Sequence, residues 1–247
     1  MKPTKDLFST QSKTYAAFRP HYPQLLFDYL FSLVKNFDHA WDCGTGNGQV
    51  AVQLAKRFAK VEASDISASQ IEHAAKNERV AYHLCRAEST PFADTSFDLI
   101  TVATAIHWFD FEMFYKEVRR VAKQGAIIAV WAYAPPLCDP KLDEIMHQFS
   151  MVKLKDYWNP ERRYVDEDYK TIPFPFEEIK TPQFEIDTEW TMEQYIGYIQ
   201  SWSSVQNYRQ QHGIDPVPEV AEEIRVSWGD SLRRRIVFPL FVRCGGV

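Results

Sequence analysis

Three glycines at alternating positions, Gly44, Gly46 and Gly48, directly follow a short apolar segment at residues 40–43. After them, apolar side chains recur at every fourth position over residues 50–58, which is typical of one face of a helix. Glycine permits a sharp turn between strand and helix and lets a ligand approach the backbone. We therefore predict a strand–turn–helix unit with a ligand at the turn. The spacing GxGxG differs from the dinucleotide fingerprint GxGxxG.

The rest of the first half repeats this alternation of strand and helix. Further strands are predicted at 61–64, 80–86, 97–103 and 125–131. Ser67 and Asp110 are suited to cap the helices that follow two of these strands. The strands are almost continuously apolar, a pattern typical of parallel strands covered on both faces. The first half therefore predicts an α/β fold.

The alternation stops after Trp131, where a proline pair at residues 135–136 follows. The charged and aromatic stretch at 153–190 carries no regular period. A last strand is predicted at 236–243, and Pro239 within it favours a position near a sheet edge. We interpret this half as a cap followed by strands that complete the sheet.

Composition excludes several classes of protein. The 247 residues are 45% hydrophobic and 25% charged, values that exclude a disordered chain or a coiled coil. The net charge of −5 argues against a nucleic-acid partner. No apolar run is suited to a secretory signal or a membrane span, and the four scattered cysteines show no metal-ligand spacing. We expect a cytoplasmic protein with free thiols and no metal.

The acidic side chains are unevenly distributed along the chain. Residues 1–132 hold 15 basic and 14 acidic side chains, whereas residues 133–247 hold 13 and 19. The second half therefore differs in composition from the first, and we expect it to have a different function.

Carboxylates follow the second and third predicted strands, at Asp65 and Glu88. In an open parallel sheet, ligands bind outside the carboxyl ends of the strands. A carboxylate after the second strand can accept hydrogen bonds from two ribose hydroxyls. A polar side chain after the third strand can reach an adenine amino group. The order of these residues indicates a nucleoside-binding site.

With these motifs the chain resembles class I S-adenosylmethionine-dependent methyltransferases of the type 11 group, and within it trans-aconitate methyltransferase-like proteins. The resemblance rests on the segments at 15–23, 41–48, 62–67, 87–92, 96–110, 117–131 and 184–203. It implies a Rossmann-like fold, a seven-stranded, mostly parallel sheet with helices on both faces and a small helical and loop cap. It also implies S-adenosylmethionine as cofactor, S-adenosylhomocysteine as product and a small-molecule acceptor.

The resemblance also implies one domain over residues 1–247. Residues 1–35 would form helices that cover the cofactor, and residues 36–132 the cofactor-binding core. Residues 133–247 would supply the substrate cap and the strands that complete the sheet. Nothing in the sequence indicates an oligomeric state.

Residue roles at the cofactor follow from the same resemblance. Gly44 and Gly46 would pass the methionine part over the turn. Asp65 would hold the ribose, Ile66 would pack on the adenine, and Glu88 would recognise the adenine edge.

Three further residues would surround the methionine end of the cofactor. The backbone of Ala103 would contact it, and Tyr15 and Arg19 would close over it. Arg19 would pair with its carboxylate through the forked guanidinium, a geometry that lysine does not reproduce.

His107 follows the fourth strand, at the rim of the predicted cleft. Its ordinary pKa near 6.5 suits proton transfer, and three interpretations stay open: a general base, a group that positions the substrate, or a structural residue at a helix start. With the resemblance, we expect the acceptor to be a carboxylate, hydroxyl or carbon, methylated by in-line displacement in which proximity and orientation are the main catalytic terms. Two other functions remain open, an NAD-type oxidoreductase on a similar sheet and a non-catalytic cofactor-binding protein.

Overall fold

A sheet of eight strands runs through residues 19–247, the part of the chain that the computed structural model describes. Tyr15 lies outside the described residues. The first five strands are β1 (His39–Cys43), β2 (Lys60–Asp65), β3 (Val80–Leu84), β4 (Phe97–Ala103) and β5 (Ala122–Tyr133). They are parallel in the spatial order β3-β2-β1-β4-β5. The carboxyl ends of β1 and β4 therefore meet at one edge, next to the point where the strand order reverses.

Three strands from the second half complete the sheet: β6 (Glu177–Ile179), β7 (Phe184–Trp190) and β8 (Arg234–Gly246). β8 runs antiparallel to β5. β6 and β7 both pair with β8, each along a different stretch of it. In the spatial order of the sheet they therefore share one position, the seventh. The predicted Rossmann-like, mostly parallel architecture is confirmed, with eight strands in the described residues instead of seven.

Pro239 does not mark a sheet edge, because β8 is hydrogen-bonded on both sides. Its carbonyl accepts a hydrogen bond from Ala134 N at 2.8 Å, one residue beyond the last β5 pair, Tyr133 with Leu240. In an antiparallel strand, the N–H and C=O of one residue point toward the same neighbour. The N–H that Pro239 lacks would therefore point toward β5, at the place where β5 ends. The pairing of β8 with β7 on the other side is not affected.

Helices cover the sheet. In the first half these are α1 (Gln24–Leu33), α2 (Gln49–Leu54), α3 (Ala68–Glu72) and α4 (Phe111–Val121). In the second half they are α5 (Pro140–His147), α6 (Arg162–Asp166), α7 (Met192–Gln200), α8 (Ser203–His212) and α9 (Val217–Trp228), with a π-helical turn at Gln148–Lys153 and 3₁₀ turns at Ile106–Trp108 and Lys155–Tyr157. The Ser67 and Asp110 side chains accept hydrogen bonds from Gln70 N and Met113 N, as the capping pattern predicts.

Alternate residues of the central strands pack into two separate hydrophobic clusters, one on each face of the sheet. In β1, Ala40 belongs to one cluster and Trp41 to the other. In β4, Leu99 and Ile100 divide in the same way. Helices α1 and α2 cover the first face, and α4 covers the second. This double burial is why the strands are continuously apolar in sequence.

Within residues 19–247, no helix has the combination of length and apolar character that crossing a bilayer requires. Cytoplasmic location stays a prediction.

Candidate active site

The glycine turn joins β1 to α2, with all three glycines in the left-handed region of the backbone. A Cβ on Gly44 would lie 2.6 Å from the Ala105 Cβ, and a Cβ on Gly48 would lie 2.1 Å from the Tyr82 hydroxyl. A Cβ on Gly46 would meet no atom within 4 Å. At Gly44 and Gly48, neighbouring side chains leave no room for a Cβ. At Gly46 the space beside the backbone is open.

Asp42 is buried beneath this turn at the end of β1. Its two carboxylate oxygens accept hydrogen bonds from the Thr45 hydroxyl at 2.5 Å and the Thr101 hydroxyl at 2.9 Å. Burial raises the pKa of Asp42 to about 6, although the two threonine hydrogen bonds act in the opposite direction. Asp42 ties the turn to β4.

Asp65 ends β2 and also supports the turn. One carboxylate oxygen accepts a hydrogen bond from Gly46 N at 2.8 Å, and the other accepts one from Ser67 N at 2.9 Å. The carboxylate thus links the turn after β1 to the start of α3. Asp65 also lines the cavity above this edge of the sheet.

A cavity of about 300 Å³ opens above the carboxyl ends of β1, β2 and β4. Its walls include all seven described residues that were predicted to bind the cofactor: Arg19, Gly44, Gly46, Asp65, Ile66, Glu88 and Ala103. We call it the first cavity. Ile66, one of these wall residues, is 38% exposed. The structure therefore brings these residues together, and their individual roles stay predictions.

Glu88 is buried in the wall of the first cavity. One of its oxygens accepts a hydrogen bond from Asp110 N at 3.0 Å, and the other lies 3.3 Å from the Arg86 Nε. These contacts hold the carboxylate in place at the end of β3, so that it presents a fixed acceptor to the cavity.

Gln70, on the first turn of α3, is a cavity residue that the sequence reasoning did not identify as one. It is 3% exposed, lines the first cavity, and its Oε1 atom has no hydrogen-bond partner among the described residues. The sequence marks it only as the fourth residue of a helix-capping pattern. A buried acceptor without a donor costs free energy, and a nucleoside carries the hydroxyl and amino donors that would satisfy it. Gln70, Asp65 and the open space at Gly46 fit an adenosine-containing ligand.

A second cavity of about 110 Å³ adjoins the first, and the two share Arg19, Thr104, Trp108 and Tyr133 as walls. The other walls come mostly from the second half of the chain. They include the aromatic residues Trp158, Tyr198 and Trp202 and the polar residues His107, Ser150, Asn159 and Arg162. The sequence predicted a substrate cap from the second half of the chain without identifying these positions as neighbours.

Arg19 lies on the wall between the two cavities. Its guanidinium donates to the Tyr133 hydroxyl. The guanidinium carbon also lies 5.9 Å from the Tyr133 ring centre and 5.6 Å from that of Tyr198. Two aromatic rings thus hold this cation at the place where the cavities meet.

His107 occupies the 3₁₀ turn after β4 and lines the second cavity. It is 5% exposed, and its Nδ1 lies 2.7 Å from the hydroxyl of Tyr169. The tyrosine fixes the orientation of the imidazole, and the sequence offered no signal for this contact across 62 residues. Among residues 19–247, no group of three histidine, cysteine or acidic side chains could hold a metal ion.

Comparisons with known proteins agree with this geometry. A family model described as "Methyltransferase domain" matches residues 41–130. A candidate methyltransferase of Dictyostelium discoideum is 34% identical over 97% of this chain and 95% of its own. A solved structure from Anaeromyxobacter dehalogenans, described as a candidate type II methyltransferase, is 38% identical over 93% of this chain and 98% of its own, with a TM-score of 0.86.

A malonyl-[acyl-carrier protein] O-methyltransferase of Dechloromonas aromatica is 30% identical, over 46% of this chain and 42% of its own. The matches favour methyl transfer over the oxidoreductase alternative. The likeness to trans-aconitate methyltransferase-like proteins stays a prediction.

Proposed function

The chain belongs to the S-adenosylmethionine-dependent methyltransferases, and from this premise we propose that it methylates a small molecule bound in the second cavity. The observation that carries the proposal is the shared wall of the two cavities. A methyl group has to pass from cofactor to acceptor over a short distance, so the two ligands must occupy adjoining spaces.

We propose that the described cofactor residues act as the resemblance implies. Asp65 accepts hydrogen bonds from the ribose hydroxyls, Glu88 from the adenine amino group, and Ile66 packs on the adenine face. Gly44, Gly46 and the Ala103 backbone accommodate the methionine part. Their common position around one cavity supports these roles.

When bound, S-adenosylmethionine supplies both the methyl group and its own leaving group. The chain therefore has three tasks: to align the acceptor, to exclude water and, for some acceptors, to hold a proton. Trp108 and Tyr133 line both cavities and are suited to exclude water where they meet. Residues 133–247 serve as the substrate cap and complete the sheet.

The second cavity selects the acceptor. Its volume of about 110 Å³ suits a small molecule, and the rings of Trp158 and Trp202 offer flat apolar contact. The Asn159 side-chain nitrogen is buried without a hydrogen-bond partner in the described residues, so it can donate to an oxygen of the acceptor. A carboxylate, a hydroxyl or an oxygen-activated carbon satisfies this requirement.

Methyl transfer is tested directly by incubating the protein with S-adenosylmethionine labelled in the methyl group and a fractionated metabolite extract. Label is expected in a low-molecular-mass product, with S-adenosylhomocysteine formed in equal amount. Label found only in protein or RNA would contradict a small acceptor, and binding of the cofactor without any labelled product would indicate a non-catalytic protein.

His107→Ala is expected to lower turnover while leaving cofactor affinity within about twofold, because His107 lines the second cavity and not the first. Tyr169→Phe removes the hydroxyl at Nδ1 and should shift the pH profile of kcat while largely retaining the rate. Both variants are measured by isothermal titration with S-adenosylhomocysteine and by pH-dependent kinetics. An unchanged pH profile together with a lowered melting temperature in both variants would assign His107 a structural role.

A further inference from the structure

Glu161 contributes a carboxylate to the first cavity from the cap. It immediately precedes α6, and its Oε2 atom is buried without a hydrogen-bond partner among the described residues. A buried carboxylate oxygen without a donor costs free energy. A ligand that brings a donor or a positive charge to this oxygen would remove that cost.

The other three carboxylates among the described residues of this cavity differ from Glu161, because each already accepts a hydrogen bond from the protein. Asp42 accepts hydrogen bonds from two threonine hydroxyls. Asp65 accepts them from two backbone amides. Glu88 accepts one from a backbone amide and also lies close to the Arg86 side chain. Among these four carboxylates, Glu161 has a buried oxygen without a hydrogen-bond partner in the described residues. That oxygen is available to a ligand.

The position of Glu161 along the chain indicates which part of a ligand it faces. Asn159 and Arg162, on either side of it, line the second cavity, whereas Glu161 itself lines the first. Helix α6 packs against the 3₁₀ turn that carries Trp108, a residue of the shared wall. Glu161 therefore enters the first cavity on the side where the second cavity adjoins it, the side toward which the reacting methyl group must point.

Positive charge at that place distinguishes substrate from product. S-adenosylmethionine carries a sulfonium, whereas S-adenosylhomocysteine carries a neutral thioether, and the two are otherwise alike. Among the described residues, the cavity lining holds four carboxylates and the two cations Arg19 and Arg86, an excess of negative charge that favours a ligand with a net positive charge. We propose that Glu161 recognises the sulfonium charge and so makes the site prefer S-adenosylmethionine over S-adenosylhomocysteine.

This inference rests on the assignment of the first cavity to the cofactor. It adds Glu161, a residue of the cap, to the cofactor site. It also predicts the effect of Glu161 on the relative affinities for S-adenosylmethionine and S-adenosylhomocysteine. The attraction is lost when the methyl group leaves with the positive charge, so Glu161 no longer holds the product.

The test is the affinity of Glu161→Gln for three ligands, measured by isothermal titration. These are S-adenosylmethionine, S-adenosylhomocysteine and sinefungin, whose amine supplies a positive charge in place of the methylated sulfur. The variant is expected to bind the two cationic ligands about tenfold more weakly and S-adenosylhomocysteine within about twofold of the wild type. Glu161→Asp retains the charge and should recover part of the preference.

Glu167→Gln is the matched control, because it removes one negative charge from an exposed residue just after α6 that lines neither cavity. It should bind all three ligands as the wild type does. If Glu161→Gln lowers the affinity for all three ligands equally, the inference is overturned, and Glu161 contacts a part of the molecule that the three share. Unchanged affinities would also overturn it. If the wild type binds none of them, the assignment of the first cavity fails instead. Melting temperatures without ligand verify folding.

Discussion

Replacing Asp65 by alanine is expected to abolish S-adenosylmethionine binding. The Asp65 carboxylate faces the first cavity and accepts hydrogen bonds from Gly46 N and Ser67 N. Two charge-assisted hydrogen bonds to ribose hydroxyls are worth about 3–6 kcal/mol together, so affinity should fall at least about a hundredfold. The glycine turn also loses the acceptor for Gly46 N, which adds to the loss.

Thermal denaturation with and without ligand measures this effect. For the wild type, ligand at 100 times its Kd should raise the free energy of unfolding by about 2.7 kcal/mol. Asp65→Ala should show a rise of about 0.4 kcal/mol or less at the same concentration. Asp156→Ala, at an exposed position outside both cavities, should show the full rise. A Kd for Asp65→Ala within tenfold of the wild-type value would exclude the proposed ribose contact.

Gly44→Ala is expected to destabilise the protein by about 2–4 kcal/mol. Any side chain at this left-handed position costs roughly 1 kcal/mol. The new Cβ would also lie 2.6 Å from the Ala105 Cβ, an overlap that forces neighbouring backbone to move at about 1–3 kcal/mol. For a chain of this length the melting temperature should fall by roughly 5–15 °C.

Two other glycines separate the backbone cost from the overlap. Gly46 and Gly213 share the left-handed conformation, and a Cβ at either meets no atom within 4 Å. Both alanine variants should therefore lose only about 1 kcal/mol. Gly46→Ala should nevertheless bind S-adenosylmethionine poorly, because it fills the space beside the turn, whereas Gly213→Ala should bind normally. If Gly44→Ala is no less stable than Gly213→Ala, the contact with Ala105 does not constrain the turn.

The first half of the fold was predictable because its signals are local. Continuous apolar strands, capping residues such as Ser67 and Asp110, and glycines at fixed spacing act within a few residues of each other. Asp65 and Glu88 were identified because the carboxyl ends of neighbouring parallel strands necessarily meet. The resemblance then related this arrangement to S-adenosylmethionine, which the comparisons support.

Contacts between distant residues account for what the sequence did not reveal. Pro239 suggested a sheet edge, but the pairing of β7 with β8 places it inside the sheet. Gln70 carried only a helix-capping signal, and its role in the cavity depends on how α3 lies over β2.

The sequence by itself determined the α/β core and the glycine turn, since both depend on short-range geometry that the residue types impose, and its resemblance to a known family indicated the cofactor class. Only the tertiary structure decided that Glu161 reaches the first cavity and that Trp158 and Trp202 enclose a second one. The stretch at 153–190 shows no hydrophobic period, and its Tyr169 takes its position by packing against His107 and Phe241, both distant along the chain. Under the proposed function, the methyl acceptor is selected by the part of the chain whose local sequence is least informative.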